Sequence, residues 1–282
     1  ALLAWGFVEG WFPMTLQVDL SVLAIAVGVL KAELDTLTFA GFLGVSGVIY
    51  FVHRFRKRAE AAIHDGPRYT AIVPVYGDAA VLHRSVGSLL ESTYENLEVV
   101  VVTEPDDDRT HERASELADD HEEVRCLVNE GSTGSKAGAI NHALRETDGE
   151  YVGIFDGDEV VDEDFVPHCV GEFEADDDVD VVQGRTVPEP DGFVESLAYY
   201  ESVLMSFVVL RLAYALTGFR MAVSRCISMR RSTIEDLGGY DTDMLTEDFA
   251  FTYECYKERV TVREMLDHPS RIDAAHTPAD WW

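Results

Sequence analysis

Apolar and polar positions follow two different patterns along this chain. Thr36 to Val52 reads TLTFAGFLGVSGVIYFV, seventeen residues without a charge, at the short end of what crosses a bilayer as a helix. A second apolar stretch, Phe12 to Leu30, is interrupted by Gln17 and Asp19 and joins the first through the short turn Lys31-Ala32-Glu33-Leu34-Asp35. These runs predict an N-terminal membrane segment over residues 1–60, with one or two transmembrane helices. A pair of buried core helices is the alternative. His53-Arg54-Phe55-Arg56-Lys57-Arg58 follows at once, and basic residues directly after an apolar span favour a cytoplasmic position for what comes next. A cleavable signal peptide fits worse, because its basic residues would precede the apolar run.

From about Arg68 onward the pattern changes. Tyr69 to Val75, Leu97 to Val102, Val124 to Val128, Tyr151 to Phe155 and Val179 to Gln183 are short apolar runs that read as strands. Between them, Leu82 to Leu90 and Arg109 to Ala118 read as helices, and Ser135 is placed to cap a third that runs to about Arg145. Such alternation predicts βαβ units and a mostly parallel α/β sheet for a domain over residues 61–282. Ligands of such sheets gather beyond the carboxyl ends of the strands. Tyr76, Glu104, Asp156 and Asp158 all stand at such ends. Phe193 to Leu216 is largely apolar, with Glu195, Glu201 and Arg211 spaced through it; it reads equally as a membrane-interface helix or an amphipathic core helix.

Charge narrows the partners. The chain has 52 acidic and 22 basic residues, a formal charge of −30. The excess is dispersed, as in Asp106-Asp107-Asp108, Asp119-Asp120 and Asp176-Asp177-Asp178. Nucleic acid is excluded as a partner, since its backbone calls for concentrated Lys and Arg. Four basic residues are lysine (Lys31, Lys57, Lys136, Lys257) and eighteen are arginine. An acid-rich, lysine-poor surface resembles those of salt-loving organisms; an ordinary acidic protein is the alternative. Cys126, Cys169, Cys226 and Cys255 form no C-x-x-C pair, so buried, reduced thiols are expected rather than zinc or redox chemistry. The chain starts at Ala1 and stops at Trp281-Trp282, and is expected to be a piece of a longer protein.

Candidate chemistry lies in a few carboxylates and one lysine. Asp156-Gly157-Asp158 closes the apolar run at Tyr151 to Phe155. Two carboxylates around a glycine can share a hard cation and a phosphate, although Asp and Gly are also ordinary turn residues. An EF-hand is excluded, because Val160 and Val161 occupy positions that need an oxygen ligand and a glycine. Gly131 to Lys136 (GSTGSK) has the wrong spacing for a nucleotide-binding phosphate loop, and Ala137 replaces its hydroxyl. Lys136 opens a helix, where it either meets a diphosphate or is solvated. Thr246-Glu247-Asp248 precedes a helix expected over Phe249 to Glu258. Its carboxylates either favour the helix N-terminus or take a proton from a hydroxyl.

Taken in order, these segments resemble the family 2 inverting glycosyltransferases, in particular the membrane-bound branch of cellulose, chitin and hyaluronan synthases. The resemblance covers about residues 68 to 282. Ala71-Ile72-Val73-Pro74-Val75-Tyr76-Gly77-Asp78 is similar to the family's first strand and P-x-Y-N-E turn. Val99 to Glu104 is similar to the second strand, and Lys136-Ala137-Gly138-Ala139-Ile140-Asn141 to K-A-G-x-L-N. Asp156-Gly157-Asp158 matches D-x-D. Gly238-Gly239-Tyr240-Asp241, then Leu245-Thr246-Glu247-Asp248, resembles the G-G-[FY]-D and T-E-D run.

The resemblance implies a GT-A fold, a nucleotide-diphosphate sugar donor (a UDP-sugar foremost), and Mg²⁺ or Mn²⁺. It implies a glycan or lipid-linked acceptor, and a cell-membrane location with the catalytic domain in the cytoplasm. By the same resemblance Pro74, Tyr76 and Glu104 belong to donor binding, and Lys136 and Asp156 face the donor. Asp158 would ligate the metal, Glu247 would lie on the acceptor side, and Asp248 would be the catalytic base. Two positions depart from the family: Thr103-Glu104 replaces the usual Asp-Asp, and Gly77 replaces Asn. Thr277 to Trp282 resembles the approach to Q-x-x-R-W, but the chain stops before it, so processive and single transfer both stay open. The alternatives are single transfer to a polyprenyl phosphate and a sugar-nucleotide-binding domain without turnover.

Overall fold

The computed structural model describes residues 61–274 apart from 132 and 133, residue 277, and scattered positions between 25 and 48. The chain separates into two compact units, Ala1–Phe55 and Arg56–Trp282. In the first, the described positions are helical and exposed. Most of the two N-terminal apolar stretches, the basic run at 53–58 and the end of the chain after Thr277 lie outside the described residues.

The second unit is built on a seven-stranded sheet in the order β3-β2-β1-β4-β7-β5-β8. Its strands are β1 Tyr69–Val75, β2 Leu97–Thr103, β3 Val124–Val128, β4 Tyr151–Ile154, β5 Val181–Gln183, β7 Ile227–Arg230 and β8 Val262–Glu264. All neighbours pair in parallel except β7, which runs antiparallel to both β4 and β5. A small parallel pair, β6 Thr186–Pro188 with β9 Ser270–Ile272, stands beside it. The sheet is therefore mostly parallel, as the alternation predicted, and helices flank it.

Both faces of the sheet are buried, which explains why β1 and β2 read as nearly continuous apolar runs. On one face Tyr69, Ala71, Val73 and Val75 pack with Val99 and Val101 beneath α1 (Leu82–Leu90), α2 (Asp108–Asp120) and α4 (Phe165–Ala175). On the other, Ile72, Val100 and Val102 meet α3 (Lys136–Glu146) and, further along, α8 (Glu247–Lys257). Local chemistry starts two helices, the second of them as expected. The Asp107 carboxylate accepts from the Thr110 amide at the start of α2, and the Ser135 hydroxyl accepts from the Gly138 amide at the start of α3.

Three expectations need adjustment. The fifth strand begins at Val181 rather than Val179, because Val179 N–H turns back to the Asp176 carbonyl. The helix expected from Phe249 begins at Glu247, so Glu247 and Asp248 lie inside its first turn. Cys126 is only half-buried, whereas the other three cysteines are buried; all four thiols are free.

The apolar segment forms α5 (Phe193–Leu204), a π-helical turn at Met205–Val209 and α6 (Leu210–Thr217), followed by the short α7 (Arg231–Asp236). Among the described residues, Phe193–Thr217 alone is long and apolar enough to cross a membrane. Its polarity is inverted. Glu195 and Arg211 are buried, whereas Phe193 is 79%, Tyr200 67% and Leu216 75% exposed.

Candidate active site

The chain passes from β1 outward through β2 to β3, then returns to place β4 on the other side of β1. That reversal opens a crevice at the carboxyl ends of β1 and β4, the usual place for a ligand in an open α/β sheet. Pro74 is buried within β1, two residues before Tyr76, which is exposed. Gly77 then takes φ +78, a conformation that favours glycine. Its amide donates to Asp107 Oδ2 at 2.6 Å, so one carboxylate both caps α2 and holds the β1 turn. Contacts with Thr110, first, and then with the Gly77 amide hold the Asp107 carboxyl below its ordinary range.

Asp156 leaves the end of β4 between two cations. Lys136, at the start of α3, donates to its Oδ1, and Arg225 Nε lies 3.5 Å from its Oδ2. The carbonyl of Asp156 accepts from Ser85 Oγ at 3.0 Å and its amide donates to Glu159 Oε2 at 3.0 Å. Gly157 sits against Val75 and Asp78; a Cβ there would lie 2.6 Å from Val75 Cγ1. Asp78 is pushed up, first by burial, then by the charges of Asp158, Asp156 and Asp107 around it. A concentration of negative charge that raises a carboxyl in this way fits a hard divalent cation. A separate cluster, Asp162, Asp164 and His268, also has ligand atoms within 4.8 Å of one another.

Glu104 is buried at the end of β2, where Asn129 Nδ2 donates to its Oε1 at 2.8 Å and the Gly134 amide to its Oε2 at 2.7 Å. It thus fastens the segment before α3, and thereby the approach of Lys136, to the sheet edge.

Asp248 is held from outside its own helix. Ser224 donates to Asp248 Oδ1 from its amide at 2.7 Å and from its hydroxyl, which also lies 3.1 Å from Glu247 Oε1. Gln183 shapes the loop that carries Ser224, accepting from Val223 N at 2.7 Å and donating to the Arg225 carbonyl at 3.0 Å. Gly238 and Gly239, both at φ +82, turn the chain so that buried Tyr240 stacks on Phe251 of α8 with centroids 4.5 Å apart. The Tyr240 hydroxyl is pushed up by burial first and then by the charge of Asp248. Asn141 of α3 clamps this turn, donating to the Tyr240 carbonyl at 2.7 Å and accepting from its amide at 2.9 Å.

The structure thus brings Tyr76, Lys136, Asp156 and Asp158 to one edge of the sheet. Ser224 and Arg225, adjacent in sequence, hold Asp248 and Asp156 respectively. Sequence reasoning missed Glu159, Ser224 and Arg225. The last two lie in irregular chain with no motif, and Glu159 directly follows a motif that drew attention to its neighbours. Asn141 was visible as the end of the K-A-G segment, but its partner Tyr240 is 99 residues away.

The family model for Glycosyl transferase family 2 matches residues 70–238. Poly-beta-1,6-N-acetyl-D-glucosamine synthase of Staphylococcus aureus is 21% identical over 229 residues, covering 77% of this chain and 54% of the synthase. The synthase of Staphylococcus epidermidis is 24% identical over 190 residues, covering 66% of this chain and 45% of the synthase. The chain spans about half the length of these relatives. Among solved structures, the mannosyltransferase PcManGT from Pyrobaculum calidifontis, in complex with GDP-Man and Mn²⁺, superposes with a TM-score of 0.61 at 24% identity, over 85% of this chain and 67% of that one. Staphylococcus aureus TarS 1–349 gives 0.55 at 18% identity, over 76% of this chain and 62% of that one. These likenesses establish a shared fold.

Proposed function

The chain belongs to glycosyl transferase family 2, and from that premise we propose that it is a membrane-anchored, inverting, metal-dependent enzyme. Residues 1–60 are the anchor and residues 61–282 the cytoplasmic catalytic domain. The donor is a nucleotide-diphosphate sugar, a UDP-sugar foremost, and the acceptor is a growing polysaccharide or lipid-linked glycan. The synthase relatives support a glycan acceptor, and the exposed apolar face of Phe193–Thr217 supports a membrane location. The dispersed charge of −30 supports a salt-rich habitat.

One observation carries the mechanism: consecutive residues hold its two halves together. Arg225 lies 3.5 Å from Asp156, and the Ser224 amide is 2.7 Å from Asp248. This adjacency supports one site shared by a donor at the β1–β4 crevice and a base at the start of α8. Pro74 and Tyr76 shape the nucleoside side, Glu104 fixes the α3 approach, and Lys136 with Asp156 faces the diphosphate. Asp158, within the cluster of Asp78, Asp107 and Asp156, would ligate Mg²⁺ or Mn²⁺. The cation, when bound, supplies charge neutralisation for the departing diphosphate.

Ser224 fixes Asp248 Oδ1, which leaves Oδ2 to take the proton of the acceptor hydroxyl. The acceptor oxygen then attacks the anomeric carbon from the face opposite the diphosphate. The bond from that carbon to the phosphate oxygen breaks, the diphosphate leaves with the electron pair, and the centre inverts. Glu247 lies beside the base on the acceptor side.

Asp248→Asn tests this reading. Its amide oxygen still accepts from Ser224 N–H, so the fold and the binding of UDP or GDP with Mn²⁺ are expected to persist. Turnover of a panel of UDP- and GDP-sugars is expected to fall by about 10²–10⁴. Unchanged turnover would remove Asp248 as the base.

A further inference from the structure

Glu159 is completely buried and belongs to neither half of the proposed machinery. Its two oxygens face different segments. Oε2 accepts from the Asp156 amide at 3.0 Å and from the Cys226 amide at 3.2 Å. Oε1 accepts from Thr186 Oγ1 at 2.8 Å and from Ser270 Oγ, and these hydroxyls open β6 and β9. Four donors converge on one carboxylate, the most that its lone pairs accept.

The Cys226 end of this arrangement is strained. Cys226 has φ 42, a region that residues with a Cβ rarely occupy and that persists only where the surroundings enforce it. The enforcement is visible: Glu159 takes the Cys226 amide, while the Cys226 carbonyl accepts from the Gly184 amide at 2.7 Å. The two residues before Cys226 are Arg225, against Asp156, and Ser224, against Asp248.

We propose that Glu159 is a positioning residue that couples the Asp156–Asp158 turn to the loop bearing Ser224, so that one carboxylate oxygen sets the spacing between donor site and base. This rests on the roles given above to Asp156, Asp158 and Asp248. A second turn contact, Ser85 Oγ on the Asp156 carbonyl, fixes the turn to α1 but not to the base loop. Glu159 alone among the described residues bonds to the backbone of both segments through one atom.

The test compares Glu159→Ala and Glu159→Gln in the full chain. Folding is followed by near-UV circular dichroism, Mn²⁺-dependent UDP and GDP binding by calorimetry, and kcat by nucleotide release from UDP- and GDP-sugars. Glutamine can keep its carbonyl on the two amides and turn its NH₂ toward the two hydroxyls, which accept as well as donate. It is expected to stay within about threefold of the native chain in both binding and kcat. Alanine removes all four acceptors and is expected to weaken nucleotide binding and lower kcat by at least about tenfold each, per folded molecule.

A loss confined to either quantity, or one that only tracks the folded fraction, overturns the coupling. So does a glutamine variant as impaired as alanine. Should alanine fail to fold, Glu159→Asp keeps the charge and shortens the reach by one methylene. It is expected to lower both quantities by at least about fivefold, and unchanged values overturn the proposal. Asp248→Asn measured alongside separates the two failures. If it retains turnover, the base assignment falls; if it loses turnover while Glu159→Ala changes nothing, the coupling alone falls.

Discussion

Gly157→Ala should damage this protein twice, for one geometric reason. A Cβ on Gly157 would lie 2.6 Å from Val75 Cγ1, 3.1 Å from Asp78 Oδ2 and 3.3 Å from Asp78 Cβ. Carbon atoms in contact prefer about 3.5–4.0 Å, so either Val75 or the turn must retreat by about 1 Å. Val75 cannot. It is buried in β1, registered against Thr103 of β2 and packed in the core beneath α1. The turn moves instead, carrying Asp156 and Asp158 with it.

Overpacking of this kind costs about 1–3 kcal/mol, and each kcal/mol lowers the melting temperature of a domain this size by roughly 2–4 °C. A displacement of about 1 Å in a positioned group costs about 10²-fold in rate. The assay is a thermal melt followed by near-UV circular dichroism, with nucleotide release measured well below the melt. Gly87→Ala is the control: Gly87 lies in α1 with nothing within 4 Å of its Cβ position, and alanine there should stabilise by about 0.5–1 kcal/mol. A Gly157→Ala chain that melts within about 1 °C of the native one and turns over within about twofold would refute the packing and the placement of the turn.

Asn141→Ala removes both hydrogen bonds to the buried Tyr240 backbone. The two stranded groups cost roughly 2–4 kcal/mol together, so a melt lowered by about 5–15 °C is expected, and a shift under about 2 °C would dismiss the clamp. Salt should act in the opposite direction. With a charge of −30 and exposed acidic runs such as Asp119-Asp120, self-repulsion is screened as the Debye length falls from about 10 Å at 0.1 M to about 3 Å at 1 M. The melt is expected to rise by roughly 10 °C over that range, and a flat profile would count against a salt-adapted surface.

The centre of the sheet was legible because β1, β2 and β4 are buried on both faces. Tyr69–Val75 and Val124–Val128 match their expected bounds. The first is an apolar-rich run buried throughout, which has few other ways to fold. The second is a short apolar run broken once, by the exposed Arg125. The motif residues were singled out by their order along the chain, which resembles the family's, and most of them stand at the end of a strand or the start of a helix. Strands β6 to β9 were not legible. β6 (TVP), β7 (ISMR), β8 (VRE) and β9 (SRI) are short and carry polar residues or proline, so none shows the apolar run that marked the equally short β4 and β5. The partners of the motifs were equally hidden. Ser224 is an ordinary serine in sequence, and what gives it a role is contact with a residue 24 positions away. Contacts of that kind are made by the assembled fold and leave no local signature.

Capping and catalysis make different demands on Asp248, and its contacts favour the role proposed for it above. A carboxylate kept only to favour a helix N-terminus gains by facing the unpaired amides of its own first turn. Asp248 instead gives Oδ1 to the amide and hydroxyl of Ser224, in a loop that Gln183 and Glu159 hold at several points. Holding a surface cap so firmly would add little, because exposed charges near a helix end contribute only about 0.3–1 kcal/mol. A sugar-nucleotide-binding domain without turnover would need the crevice residues Lys136 and Asp156, but no carboxylate oriented from the far side of the site. On the function proposed above, the strain at Cys226 has a reason: it helps to hold the distance between Asp156 and Asp248, which matters when a bond is made between what each of them holds.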